Sequence, residues 1–453
     1  MHVIMIHRTH EVIICLLFLG TVAVVYIITQ ILRSVVDLKG DTAILSSFEG
    51  SWLFRLCLNI LGYATIFVPG FLIFKYVKKS SYLERTGPGC FPSAIRLCLS
   101  GPDPLISGDG LQQATPQLSH ALQQTHSTMQ EAILLIFCFL GLQLTYLTWG
   151  LLQEKIMTQE YIDSGGAKGH FTDSQFLVFV NRILAFVLSG LYIIFTRQPR
   201  HVAPFYKYVY CSFSNIMSSW CQYEALKYVS FPTQVLAKAS KIIPVMIMGK
   251  IVSRKKYEYY EYVTAVLISV GMAFFMLGSA DDHKGVAVTT FSGLILLASY
   301  MLFDSFTSNW QGELFSHYGM SSVQMMCGVN LFSCLFTAVS LAQQGGFIHS
   351  INFMTEFPKF VFDCLVLSVC SAAGQLFIYY TIATFGPVVF VIIMTIRQGL
   401  AILLSCFIYQ HHITAVGIIG VIIVFVSVFL RIYCNQRLRA IRKRTQASSS
   451  IKV

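Results

Sequence analysis

The sequence predicts an all-α polytopic membrane protein: a ten-helix core built as a 5+5 inverted repeat, preceded by two further transmembrane helices. Three observations lead there. The 453 residues are 55% hydrophobic and only 12% charged, against about 25% charged in soluble domains. Twelve segments are each long and apolar enough to span a bilayer, roughly 12–32, 54–77, 132–152, 174–196, 204–229, 231–252, 258–278, 290–310, 321–342, 360–383, 386–408 and 412–433, a spanning helix needing about 20 such residues. The Lys and Arg of the short loops fall on one side. Lipid offers the backbone no hydrogen-bond partners, so apolar segments of this length must be helical.

Taken in order, residues 1–77 hold the first two helices. The opening segment, "EVIICLLFLGTVAVVYIITQIL", has no small-x-small cleavage site and too long an apolar run for a secretion signal, so it is expected to stay as an anchor. Residues 78–130, with "GPGCFPS" and "SGPDPLISGDG", carry no sustained apolar period and predict a flexible cytosolic linker. The core follows at 131–433 and a basic tail at 434–453.

Orientation comes from the loops. Arg437, Arg439, Arg442, Lys443, Arg444 and Lys452 of the tail share a side with Arg254, Lys255 and Lys256, and with Arg197, Arg200 and Lys207. The opposite loops, 281–285, 410–414 and 343–358, are poor in Lys and Arg. The positive-inside rule puts both termini in the cytosol. The net charge of +11 is assigned to this asymmetry, not to nucleic acid.

The repeat is read from logic more than identity. Segments 231–252 and 386–408 each open near a proline, Pro232 or Pro387, and carry a central cation nine or ten residues on, Lys241 or Arg397. The second copy comes five spans after the first, an odd offset, so the two run in opposite directions, as in the inverted repeats of secondary transporters. Their substrates bind near the midplane between halves, and Pro232 and Gly386–Pro387 are expected hinges.

The cations carry the functional reading. Lys238 and Gln234 share a helical face with Lys241. A cation at a helix centre costs about 2.5–3.5 kcal/mol, so Lys238, Lys241 and Arg397 together approach ~10 kcal/mol. Glu224, Asp304 and Asp363 are candidate counter-ions, and only Asp304 sits well inside a span. The excess of charge is compensated either by internal pairing or by a polyanionic ligand. Tyr146, Tyr223, Gln375, Tyr379 and Tyr380 lie on flanking segments. Such aromatics can stack on a base and such amides can bond its edges.

Patterns for catalysis are thin. No phosphate loop, GxSxG or HExxH occurs, and no catalytic residue, metal site or cofactor is expected. The thirteen cysteines include no CxxC and fall mostly in helices, which reads as small buried apolar residues. A multi-span transferase would need an intramembrane His or acid–base pair, and none stands out.

The stretches "QYEALKYVSFPTQVLAKASKIIPVMIMGK", "LTYLTWGLLQEKIMTQEY" and "FGPVVFVIIMTIRQGLAILLSCF" resemble the nucleotide-sugar transporter family. Within it they are most similar to the branch carrying 3′-phosphoadenosine 5′-phosphosulfate (PAPS) into the Golgi. The resemblance covers about 130–433 and implies a core like that of drug/metabolite transporters. It also implies a multi-pass Golgi membrane protein, exchanging PAPS for adenosine 3′,5′-bisphosphate. Lys238, Lys241 and Arg397 would hold the anionic groups, Gln398 would assist, and Tyr223, Tyr379 or Tyr380 would meet the adenine. UDP-sugars and ATP/ADP stay open as cargo, and so does a homo-oligomer.

Overall fold

Among the described residues the apolar segments fold as helices, with short helices and one hairpin inserted between them. The computed structural model describes residues 2–38, 52–85, 89–101, 128–158, 160–162, 168–171, 173–196, 198, 201–225, 228–229, 234, 241–279, 291–386, 388–394, 396–397 and 415–450. In chain order these form α1 (His2–Leu38), α2 (Trp52–Ser80), α3 (Tyr82–Arg85), α4 (Cys90–Leu99) and α5 (Thr128–Thr158). There follow β1 (Tyr161–Ile162), β2 (Lys168–Gly169), α6 (Ser174–Phe195), α7 (Tyr206–Ala225), α8 (Ile242–Val252) and α9 (Tyr259–Ser279). The chain ends with α10 (Phe291–Tyr318), α11 (Ser322–Gln344), α12 (Gly346–Glu356), α13 (Pro358–Phe385) and α14 (Ala415–Ser450).

Among the described residues seven helices are long and apolar enough to cross a membrane: His10–Ile31, Trp52–Ser80, Met129–Gln153, Ser174–Phe195, Phe291–Tyr318, Ser322–Gln344 and Pro358–Phe385. The chain is thus a multi-span helical membrane protein. The expected segments 204–229 and 258–278 are helical as α7 and α9. Most of 386–408, and Pro232 and Pro387, lie outside the described residues.

Three expectations are corrected. The region 78–130 is not linker throughout, because Phe91, Ile95 and Leu99, spaced by four, give α4 an apolar stripe. That stripe packs on Ile14, Val77 and Tyr82. Pro92 is tolerated in the first turn, where backbone N–H groups have no intrahelical partner. The all-α reading leaves out a short hairpin after α5: β1 and β2 pair antiparallel, Tyr161 opposite Gly169. The loop 343–358 holds a helix, α12, entered through Gly345 at φ +71°, a left-handed conformation that glycine adopts without strain.

The helices group into two compact units. The first comprises Met1–Glu131, Leu144–Ile216 and Leu314–Tyr379; the second Ala132–Gln143, Met217–Glu313 and Tyr380–Val453.

In the first unit α6 packs along α11, and α2 packs on both α1 and α11. The contact of α2 with α11 is close and polar. A Cβ at Gly62 would stand 2.6 Å from Ser340 Cβ, so only glycine lets the helices meet there. Gln344 Nε2 donates to Asn59 Oδ1 at 2.8 Å and Gln343 Nε2 to Thr65 Oγ1 at 2.9 Å. Small residues and interhelical amide bonds are how helices adhere where water cannot drive them together. The Tyr63 ring meets Phe213 and Phe336 edge-on. The α6 N-terminus is capped by Asp173, whose Oδ1 accepts from the Gln175 and Phe176 amides. Ser321 and Gln324 close a reciprocal capping box on α11.

In the second unit the longest helix contact is that of α9 with α14. Gly271 lies against Gly420, where an added Cβ would be 2.9 Å from the Gly420 carbonyl oxygen. Arg431 Nη2 stands 3.4 Å from Glu261 Oε1 at one end of this pair. In the same unit Asn309 Nδ2 donates to the Val245 carbonyl at 2.8 Å, joining α10 to α8.

Candidate functional site

Lys241 immediately precedes α8 and is 8% exposed. Its ammonium forms an ion pair with Asp304 Oδ2 of α10. The same nitrogen lies 5.6 Å from the centroid of the Phe390 ring, within cation–π range. A buried ammonium needs such compensation, because desolvation alone costs several kcal/mol per ion. Internal pairing, one of the two readings of the sequence, therefore holds for Lys241. Asp304, the acid best placed in the sequence, is its partner. Lys238 and Gln398 lie outside the described residues.

Gln234 is 1% exposed and donates from Nε2 to the Gln222 carbonyl at 2.8 Å. That bond ties the segment ahead of α8 back to α7. Tyr223 and Glu224 of α7 are buried at 2% and 1% exposure. Arg397 is half-buried and lies in the electrostatic neighbourhood of Tyr300. Tyr380 is 39% exposed while its neighbour Tyr379 is 2% exposed, because successive residues on a helix face different ways.

Gln234, Lys241, Arg397, Tyr223 and Tyr380 all belong to the second unit. Tyr146, Gln375 and Tyr379 belong to the first. There the Tyr146 ring meets Trp149 edge-on with centroids 5.8 Å apart. Gln375 Oε1 accepts from Asn330 Nδ2 at 2.8 Å.

Asp363, the third candidate counter-ion, is engaged elsewhere. Its Oδ2 lies 2.7 Å from Lys155 Nζ and accepts from the Tyr161 hydroxyl at 3.0 Å. This clasp fastens the hairpin strand β1 to α13, beside the ring contacts of Tyr161 with Phe353 and Phe360. Burial and the adjacent Asp363 carboxylate push the Tyr161 phenol up from its ordinary value.

A buried cation of the first unit escapes the sequence reading. Arg182 lies in the middle of α6, 8% exposed, and donates from Nη2 to Asn215 Oδ1 of α7 at 3.2 Å. Its signal was available: a lone arginine within "FLVFVNRILAFVL" carries the same insertion cost as Lys241. A search for clustered cations passes over it. Among the described residues no group of His, Cys, Asp or Glu is arranged to hold a metal ion.

Comparisons with known proteins agree on a transporter. Adenosine 3'-phospho 5'-phosphosulfate transporter 1 of Drosophila melanogaster is 56% identical over 455 residues, covering 97% of each chain. The protein of the same name from Homo sapiens is 52% identical over 395 residues, covering 87% of this chain and 90% of its own. UDP-galactose/UDP-glucose transporter 5 of Arabidopsis thaliana is 38% identical over 308 residues, covering 67% and 88%. Residues 134–435 match the UAA transporter family, and with more than half its length in that match the chain belongs to this family.

Proposed function

We propose that the protein carries PAPS from the cytosol into the Golgi lumen, in exchange for adenosine 3′,5′-bisphosphate. The observation that carries the cargo is the 56% identity, over nearly full length, to a protein named for PAPS transport. The chemistry of the second unit supports it. Lys241 is buried, held by a carboxylate that an incoming phosphate or sulfate could replace, and Arg397 belongs to the same unit. Lys238 and Gln398 join them from the sequence, with Tyr223 or Tyr380 as the aromatic partner for adenine. Tyr146, Gln375 and Tyr379, the remaining candidates from the sequence, belong to the first unit.

The 5+5 inverted repeat is part of this proposal. Counting core spans from 132–152, α6 and α11 are the second and seventh, and α9 and α14 the fifth and tenth. Each pair is five apart, and these are the longest helix contacts of their respective units. Two copies related by a pseudo-two-fold axis would bring equivalent helices together in this way. The expected rocking hinges at Pro232 and Gly386–Pro387, the cytosolic placement of both termini and the division at 77, 130 and 433 stand with it.

Asp304 modifies the case for exchange. It compensates Lys241 when no anion is bound, so an empty transporter would reorient more cheaply than bare cations allow. Exchange is then favoured by the remaining cations rather than enforced by Lys241.

A second reading, UDP-sugar transport, is favoured by the 38% identity to the Arabidopsis transporter. Competition separates the two: PAPS uptake by reconstituted protein that persists in excess UDP-galactose and is abolished by excess adenosine 3′,5′-bisphosphate supports PAPS. The reverse order supports the UDP-sugar.

A further inference from the structure

We infer that Asp304 takes up a proton when the transported anion replaces it at Lys241, so that each anion crosses the membrane together with a proton. This rests on the transport of PAPS proposed above.

The ion pair is the first ground. Asp304 stands midway along the 28-residue helix α10, and its carboxylate is paired with the Lys241 ammonium. That ammonium also meets the buried Phe390 ring, which has no charge to give up. An anion that pairs with Lys241 must therefore take the place of Asp304. The displaced carboxylate is left in a water-poor site beside the negative charge of the ligand. A buried carboxylate without its cation is costly, and a like charge next to it favours the protonated form. One proton on a carboxylate oxygen removes both penalties.

The surroundings of Asp304 are the second ground. Tyr300 lies one turn earlier on the same face of α10 and is 7% exposed; its phenol can donate a hydrogen bond but brings no positive charge. Arg397, in the electrostatic neighbourhood of Tyr300, is already counted among the cations offered to the ligand. Ser308, one turn later, donates to the Asp304 backbone carbonyl at 3.0 Å and not to the carboxylate. Glu224, buried on α7, adds an acid and no cation. Glu313 and the Lys255 that neighbours it lie about two and a half turns further along α10. All of these groups belong to the second unit.

The proton balance is simple. The proton comes from water on the side where the anion enters, and returns to water on the other side when the anion leaves and Asp304 pairs again with Lys241. PAPS and adenosine 3′,5′-bisphosphate displace the same carboxylate. Exchange of one for the other then moves no net proton, whereas PAPS uptake into empty vesicles imports one.

The test is calorimetry of adenosine 3′,5′-bisphosphate binding to the purified full chain at about pH 7.5, in HEPES and in Tris. Phosphate monoesters lose their second proton near about pH 6, so the ligand itself has little left to titrate. The change in binding heat with buffer ionisation enthalpy counts the protons taken up. Wild type should take up between about half a proton and one, and Asp304→Asn about none. The wild-type dissociation constant should rise by up to about tenfold per pH unit above that pH, while that of the variant stays flat. Binding to wild type without proton uptake, or undiminished uptake in Asp304→Asn, would overturn the inference. If Asp304→Asn does not fold, wild-type vesicles holding a pH dye decide. PAPS entering empty vesicles should acidify them and exchange should not, and equal proton movement in both also overturns the inference. A bisphosphate that does not bind, with no PAPS uptake, would instead overturn the proposed function, and the inference falls with it.

Discussion

Lys241 and Asp304 form an ion pair within the second unit, the ammonium one-tenth and the carboxylate one-quarter exposed. The pair makes the central lysine tolerable without ligand, and it gives an arriving anion a partner to displace. In Asp304→Asn the ammonium loses its counter-charge. The ligand-free protein should lose on the order of 3 kcal/mol, read as a lower melting temperature in detergent. Adenosine bisphosphate should then raise the melting temperature of the variant more than that of wild type. An equal rise in both would mean that the ligand does not meet Lys241.

The N-terminal helices should be inseparable from the core. Gly62→Val would force α2 away from Ser340, and overpacking of this kind costs about 1–3 kcal/mol. Asn59→Leu would remove the interhelical acceptor of the Gln344 amide and leave it Ser340 Oγ of its own helix, at about 1 kcal/mol. Both variants should melt earlier, and a cysteine pair placed across α2 and α11 should cross-link less. Variants indistinguishable from wild type would make the polar contact incidental.

The clasp of Tyr161 and Lys155 on Asp363 should hold the hairpin. Tyr161→Phe removes one hydrogen bond to a charged group, worth about 1.5–3 kcal/mol. Limited proteolysis between β1 and β2 should accelerate in this variant, with slower proteolysis at other sites unchanged. Unaltered cleavage would show that the rings of Phe353 and Phe360 suffice.

A pH dependence should come from His201, outside the spans. Burial pushes its imidazole below the ordinary 6.5, and the ring stacks on Phe205. The folded state thus binds fewer protons than the unfolded one in this range. Its contribution is present above 6.5 and is lost as pH falls through the lowered native value. Melting temperature should fall on acidification from about pH 7.5 to about pH 5, and His201→Asn should flatten that fall.

The seven spans found among the described residues and the cost of Lys241 within a membrane segment are legible in the sequence because lipid imposes them. A 20-residue apolar run can only be a helix, and a lysine within it can only be costly. What surrounds the cations was less legible. Asp304 was identified as the acid best placed, but pairing depends on which face each helix turns inward, and that is set by packing. Asp363, the less central candidate in the sequence, is fastened instead to Lys155 and Tyr161. The helix α4 is hidden in the sequence because it is only ten residues long and lies inside a segment rich in Gly and Pro. Arg182 was missed for a different reason. It stands alone, and only the fold brings Asn215 and Tyr379 near it.

Uptake of labelled PAPS into proteoliposomes, preloaded with adenosine 3′,5′-bisphosphate or left empty, tests the central claim most directly. Wild type and Lys241→Ala are compared side by side. The account predicts uptake in wild type, faster with the bisphosphate inside, and loss of most of that uptake in the variant despite normal folding. Uptake that is unchanged in Lys241→Ala, or no uptake by folded wild type, would contradict it.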